Sequence, residues 1–170
     1  DRTHIDLPPS HNQLISAVAK VQPNTAVALI NGSAIAMPWV DEVSAILETW
    51  LGGQAAAGAI ADTLFGKVNP SGKLAETFPK RLEDSPAFIN FPGEDGQVIY
   101  GERMFVGYRY FDKLDIKPLF PFGHGLSYTD FSYSDLKLSA TDITDKDQLE
   151  VSLTLTNTGK FVGKEVVQLC

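Results

Sequence analysis

The sequence predicts an α/β protein: a parallel α/β half-domain, an irregular aromatic-rich connector, and the opening strands of an incomplete β-sandwich. Three observations carry this expectation. Strand-like and helix-like runs alternate early in the chain, joined by Gly-bearing turns, as in a parallel layer. Pro, Gly and aromatic residues then crowd the stretch from Asn69 to about Pro121. After Thr129 the apolar period becomes two, the signature of a half-buried antiparallel strand.

Each element has its own signal. A helix is expected over about Ser10–Val21, after Pro8-Pro9. Ser10-x-x-Gln13 reads as a capping box, and Leu14, Ile15, Val18 and Val21 fall on one face. Pro23-Asn24 ends the pattern. Thr25–Ile30 reads as a short buried strand closed by Asn31-Gly32, and Ala45–Trp50 as a second strand before Gly52-Gly53. Gln54–Phe65 is expected to be helical, with Ala56, Ile60 and Leu64 in line and Gly66 as its stop. The small Ala57 and Ala61 beside that line predict a helix seated close against a sheet.

Further on, Phe88, Phe91, Tyr100, Phe105, Tyr108, Tyr110, Phe111, Phe120 and Phe122 predict a mostly irregular segment pinned by aromatic packing. Loops this long are uncommon unless they serve a site or join domains. Leu149, Val151, Leu153 and Leu155 alternate with Glu150, Ser152, Thr154 and Thr156. Asn157-Thr158-Gly159 marks a turn, and Glu165–Cys170 starts another strand. With Phe131–Leu138 this gives about three strands, too few to close a sandwich.

Composition narrows the function classes. The chain has 170 residues with 14 Lys+Arg against 21 Asp+Glu, a formal charge of −7. It carries no basic run, so a nucleic-acid partner is not expected. No stretch approaches the roughly 20 apolar residues that span a bilayer, so no membrane partner is expected either. A single cysteine makes neither an internal disulfide nor a zinc site, and no cofactor is implied. The chain opens at Asp1 with neither Met nor an apolar signal segment. It stops at Cys170 inside an apolar run, so a piece of a longer protein is expected. Such a piece exposes apolar surface and is expected to be marginal or to self-associate, a homo-oligomer being one form of this.

No catalytic constellation stands out from the residues themselves. Gly66–Leu74 resembles a phosphate loop but has five residues between its first glycines, lacks the hydroxyl after Lys73, and follows a helix. Gly123-His124-Gly125-Leu126-Ser127 resembles a nucleophile elbow, yet Thr129 stands where a glycine is required. His4, His11 and His124 show no metal-ligand spacing. Asp41-Glu42 and Glu94-Asp95 offer paired acids, but neighbours in sequence point apart, which favours solvated surface. Asn31-Gly32-Ser33 fits both a glycosylation acceptor and a turn, and the turn is favoured. Trp39 and Trp50 offer sugar-stacking faces, though large aromatics beside strands more often fill a core.

The order of the motifs says more. Asp1–Pro8 followed by Gln13-Leu14-Ile15 and Val18 resembles the family 3 glycoside hydrolases. So do Ala59–Gly66, Asn69–Leu74 with Thr77-Phe78-Pro79, and Phe105–Phe111. Phe120–Thr129, Asn157-Thr158-Gly159 and Gly163–Leu169 continue the likeness, which covers nearly all of the chain. Pro86–Phe91 with Tyr100-Gly101-Glu102 is similar to fungal-type β-glucosidases.

The resemblance implies a partial three-layer α/β sandwich with a mostly parallel sheet. It divides the chain into residues 1–85 as the later sandwich domain, 86–129 as the connector, and 130–170 as the start of a fibronectin type III-like domain. It implies retaining, exo-acting hydrolysis of terminal β-D-glucosyl residues, with a β-glucoside or oligosaccharide as substrate and the enzyme's own (β/α)₈ barrel as partner domain. The nucleophile Asp belongs to that barrel. The acid/base Glu belongs to a Glu-Gly-x-Asp-Arg motif whose last two residues are matched by Asp1-Arg2, so it falls upstream of Asp1. None of Glu42, Glu48, Glu76 or Glu102 matches that motif. No catalytic residue is therefore assigned in this chain, and substrate-binding residues stay unknown. Asp1 and Arg2 would flank the site, Arg2 as an ion-pair anchor. The piece alone is expected to be inactive. Alternatives are a non-catalytic glycan-binding or scaffolding module, or a relative acting on β-xylosides or N-acetylglucosaminides.

Overall fold

A computed structural model describes residues 3–169; Asp1, Arg2 and Cys170, with the roles expected of them, lie outside the described residues. Helix α1 (Pro9–Val21) opens on a proline, whose missing N–H costs nothing in a first turn. The expected capping box does not form. The helix begins ahead of Ser10, Pro8 is the N-cap residue, and no side chain caps it among the described residues. The inward face of α1 also differs from the expected one. Asn12, Ile15 and Ala19 turn inward, whereas Leu14, Val18 and Val21 stay exposed. Asn12 sets this rotation, because its Oδ1 accepts the Trp39 Nε1–H at 2.9 Å.

Strands β1 (Ala26–Leu29) and β2 (Ala45–Glu48) pair in parallel, from Ala26 beside Ala45 to Leu29 beside Glu48. The α/β class is the one the sequence predicts. However, β1 is not buried throughout, since Val27 and Leu29 face the core while Ala26 and Ala28 face out. Much of the core comes instead from the irregular stretch between the strands. There Ile35, Met37 and Trp39 turn inward at a spacing of two and meet Leu29 and Phe78. Ala36 N–H donates to Ile5 O at 2.9 Å and helps hold this stretch.

Helix α2 (Ala56–Leu64) follows a short 3₁₀ turn at Gly53–Ala55 and stops where Gly66 adopts φ +72°, a left-handed conformation that glycine permits. Its alanine face does not seat on a sheet. No residue of α2 is buried, because a two-stranded parallel sheet has little face to offer it. Within the aromatic stretch, residues Tyr108–Leu114 form an unexpected helix, α3, between Gly107 and the left-handed Asp115. Aromatic pinning is real but partial. Tyr108 stacks on Phe122 at 5.0 Å and Phe120 meets Phe78 edge-on at 6.4 Å, while Phe88, Phe91, Tyr100 and Phe105 are exposed.

The chain divides into two compact units. The first joins the residues up to Ala61 with Lys73–His124 and holds the core described above. The second joins Asp62–Gly72 with the residues from Gly125 onward. It is built on β3 (Phe131–Leu138) and β4 (Val151–Asn157), antiparallel, with Phe131 opposite Asn157 and a register shift between Ser134 and Lys137. The third strand expected from Glu165 does not form among the described residues. A strand exists only through its ladder, and this segment is tied by a side chain instead: Tyr133 Oη donates to Glu165 Oε1 at 3.0 Å.

Candidate functional site

Open α/β sheets take ligands at the carboxyl ends of their parallel strands, so those ends are the first place to look. After β1 the chain turns through Asn31-Gly32-Ser33, with Asn31 Nδ2 donating to Ser33 O at 2.9 Å, the turn the sequence favours. After β2, Thr49 returns a bond to Leu29 O, and Trp50 swings into the left-handed region at φ 49°. A bulky residue there is strained. Two contacts hold it: its N–H donates to Glu48 Oε1 at 2.9 Å, and its ring packs 5.9 Å from that of Phe78.

Glu48 and Glu76, distant in sequence, come together at this edge. Glu76 Oε1 accepts the Ala34 N–H at 2.7 Å. Burial pushes the Glu48 carboxyl above its ordinary range. The Trp50 N–H, the Asn31 amide and the Thr49 N–H oppose that rise, and the Glu76 charge adds to it. A raised carboxyl is the profile of a general acid. Here, however, each carboxylate gives an oxygen to a backbone N–H, so the arrangement fastens loops.

The other candidates separate in space. Trp39 is fully buried and offers no face to a sugar. Asp41 and Glu42 lie exposed in a 3₁₀ turn. Glu94 and Asp95 lie in an exposed turn closed by two bonds between Glu94 and Gln97. Glu102 ends in a turn of its own, its O accepting the Phe105 N–H at 2.9 Å. His124 stacks on Phe120 at 5.0 Å, and burial followed by the Lys73 charge lowers its pKa. No group of His, Cys, Asp and Glu able to hold a metal occurs among the described residues. An open cleft of about 680 Å³ at the entry to α1 is lined by His4, Asp6, Leu7, Pro8, Pro9, Asn12 and Gln13.

In the second unit the family-like motifs converge on one amide. Asn69 Oδ1 accepts the Ser127 hydroxyl at 3.0 Å and the Tyr128 N–H at 2.8 Å, and its Nδ2 donates to Val162 O at 3.4 Å. Buried Thr129 donates its hydroxyl to Asn157 Oδ1 at 2.8 Å. Two glycines complete the knot by lacking side chains. A Cβ on Gly163 would come within 2.5 Å of Asn69 Nδ2, and one on Gly159 would overlap Thr129 and reach 2.8 Å from Asp130 N. Ser127 is thus a hydrogen-bonding partner in a structural hub, which removes the nucleophile reading. Asn69 was missed as a hub because its partners lie far along the chain. The signal was its place beside Pro70-Ser71-Gly72, weighed above only as part of a failed phosphate loop.

Comparison with known proteins agrees with these motifs. Residues 1–128 match the family model of the glycosyl hydrolase family 3 C-terminal domain. The chain is 58% identical over 169 residues to thermostable beta-glucosidase B of Acetivibrio thermocellus, covering 99% of this chain and 22% of that protein. It is 51% identical over 176 residues to probable beta-glucosidase I of Aspergillus flavus, covering 99% of this chain and 21% of that protein. The chain thus spans about a fifth of the length of these relatives. A crystal structure of a beta-glucosidase from Kluyveromyces marxianus superimposes with a TM-score of 0.88 at 46% identity, over 96% of this chain and 19% of that one. A match of this extent at the sequence and structure levels leaves one assignment: the chain belongs to glycosyl hydrolase family 3, through that family's C-terminal domain.

Proposed function

We propose that this chain is part of a retaining, exo-acting β-glucosidase that releases terminal non-reducing β-D-glucosyl residues. Its residues 1–85 serve as the later part of an α/β sandwich domain, 86–129 as a connector, and 130–170 as the start of a fibronectin type III-like domain. The observation that carries the reading is likeness over 99% of this chain, 58% and 51% identical, to proteins named beta-glucosidases. Retention calls for two carboxyl groups about 5–5.5 Å apart, one a nucleophile and the other a general acid and then base. The two carboxyls that meet in this chain, those of Glu48 and Glu76, are already bonded to the N–H groups of Trp50 and Ala34. The resemblance to the family 3 enzymes puts the reacting pair elsewhere in the protein, a barrel Asp and a Glu upstream of Asp1.

An aryl β-glucoside assay tests this in two arms. The protein encoded by the whole gene is expected to turn the substrate over, with the glucose released in the β configuration. The 170-residue chain by itself is expected to be inactive. Turnover by the isolated chain sinks the placement of both carboxylates outside it. A whole protein that cleaves xylosides and spares glucosides overturns the substrate class.

A further inference from the structure

The stretch from Ala87 to Val106 runs without helix or strand, yet its backbone is held at short range. The N–H groups of Asn90 and Phe91 both donate to Ala87 O at 3.0 Å. Glu94 and Gln97 exchange two bonds at 3.0 and 2.9 Å, and Phe105 N–H donates to Glu102 O at 2.9 Å. Two glycines bring the arms of this stretch together. A Cβ on Gly93 would overlap Gln97 O and stand 3.0 Å from Val98 Cγ2, and one on Gly101 would stand 3.0 Å from Asn90 Nδ2. Residues 90–93 and 97–101 therefore lie side by side, as the two arms of a compact loop that its own backbone bonds keep in shape.

That loop turns its apolar side chains outward. Ile89, Phe91, Ile99, Tyr100 and Met104 are each more than three-fifths exposed, and Val98 is about half exposed. Water penalises such a patch, and contiguous apolar surface marks an interaction site. Its make-up says what fits. Four of these six side chains lack a ring and offer no π-face to a sugar, whereas Met, Phe and Tyr are enriched where proteins meet. The charged residues of 86–107 are Glu94, Asp95, Glu102 and Arg103, an acidic balance that calls for basic groups on the facing surface.

We propose that this loop is the surface by which the chain docks onto the part of its own protein that lies outside these 170 residues, against an apolar face with a basic rim. The inference rests on the reading above that the chain is part of a longer glycosidase. The chain spans about a fifth of the length of its relatives, so the occupant is tethered to the loop and meets it at high effective concentration. A loop already in shape loses little freedom on docking, so more of the gain from apolar burial is kept.

The two methionines of the chain make the test internal. Met37 is buried in the core, and Met104 is exposed on the loop. The protein encoded by the whole gene, at concentrations where it sediments as a monomer, is treated with dilute peroxide. Peroxide converts an accessible thioether to its sulfoxide, and mass spectrometry follows both sites. Met104 is expected to oxidise as slowly as Met37. Fast oxidation of Met104 with Met37 spared overturns the proposal. Protection seen only where the protein sediments as a dimer assigns the loop to a second copy and overturns it equally. So does protection that appears only when a cello-oligosaccharide is added. In the same protein, Ile99→Asp is expected to undock the loop and release Met104 to oxidation while Met37 stays spared; unchanged protection of Met104 refutes docking through this patch. Should that variant fail to fold, the native protein decides alone. Turnover of an aryl β-glucoside is scored separately: its absence sinks the glycosidase reading and leaves the oxidation result standing.

Discussion

Trp39 shows what one side chain does here. It is fully buried and its Nε1–H meets Asn12 Oδ1, so packing and polarity are both satisfied. Trp39→Ala is expected to cost about 3–5 kcal/mol, the usual range for deleting a buried aromatic. Asn12→Ala leaves the indole N–H buried and unpaired, at about 1–3 kcal/mol. Urea unfolding followed by tryptophan fluorescence checks both. His124 gives a second residue-scale prediction. Burial first and Lys73 second hold it below its ordinary value, so its neutral form belongs to the fold. Its contribution is therefore present above about pH 6.5 and is lost as pH falls through the lowered value. Lys73→Gln is expected to raise the His124 midpoint in a ¹H–¹⁵N titration; an unmoved midpoint contradicts the charge assignment. That Trp39 fills a core was legible from its neighbours in sequence. That Glu48 meets Glu76 was not, since only the tertiary fold brings β2 to the segment before Phe78.

At the scale of elements, the hub on Asn69 ties together motifs that lie far apart in the chain. Asn69→Ala removes the acceptor shared by Ser127 and Tyr128, and is expected to destabilise its unit by about 1–2 kcal/mol. Gly163→Ala forces Asn69 aside and should act in the same direction. Amide hydrogen exchange in β3 and β4 reads both changes; unaltered protection there would deny the hub its role. Apolar spacing, apolar runs and turn residues in the sequence located α1, both parallel strands, α2, β3 and β4, because all three are local properties. Cap, face and edge were less legible. Pro9 started α1 ahead of its supposed cap, Asn12 turned the helix toward Trp39, and residues 165–169 lacked a ladder partner. The last two depend on groups far away in sequence. Helix α3 escaped notice because its aromatics read as packing residues, not as a helical face.

For the molecule as a whole, the apolar surface is telling. Val21, Leu51, Phe65 and Ile89 are each more than three-quarters exposed, and the outer face of β1 is open although parallel sheets are normally covered on both sides. The 170-residue chain is expected to bind a hydrophobic dye and to self-associate in sedimentation. A monomer that melts sharply at high temperature would contradict this. The two units are also interleaved along the chain, with Asp62–Gly72 assigned to one and the residues on both sides of it to the other. Synthesis on a ribosome delivers residues in strict order. The first unit then stays unfinished until His124 has cleared the exit tunnel, while Asp62–Gly72 waits for partners not yet made. Asn69 therefore lacks Ser127 and Tyr128 as partners until synthesis has passed them, and a pause in translation before Ser127 would lengthen that interval.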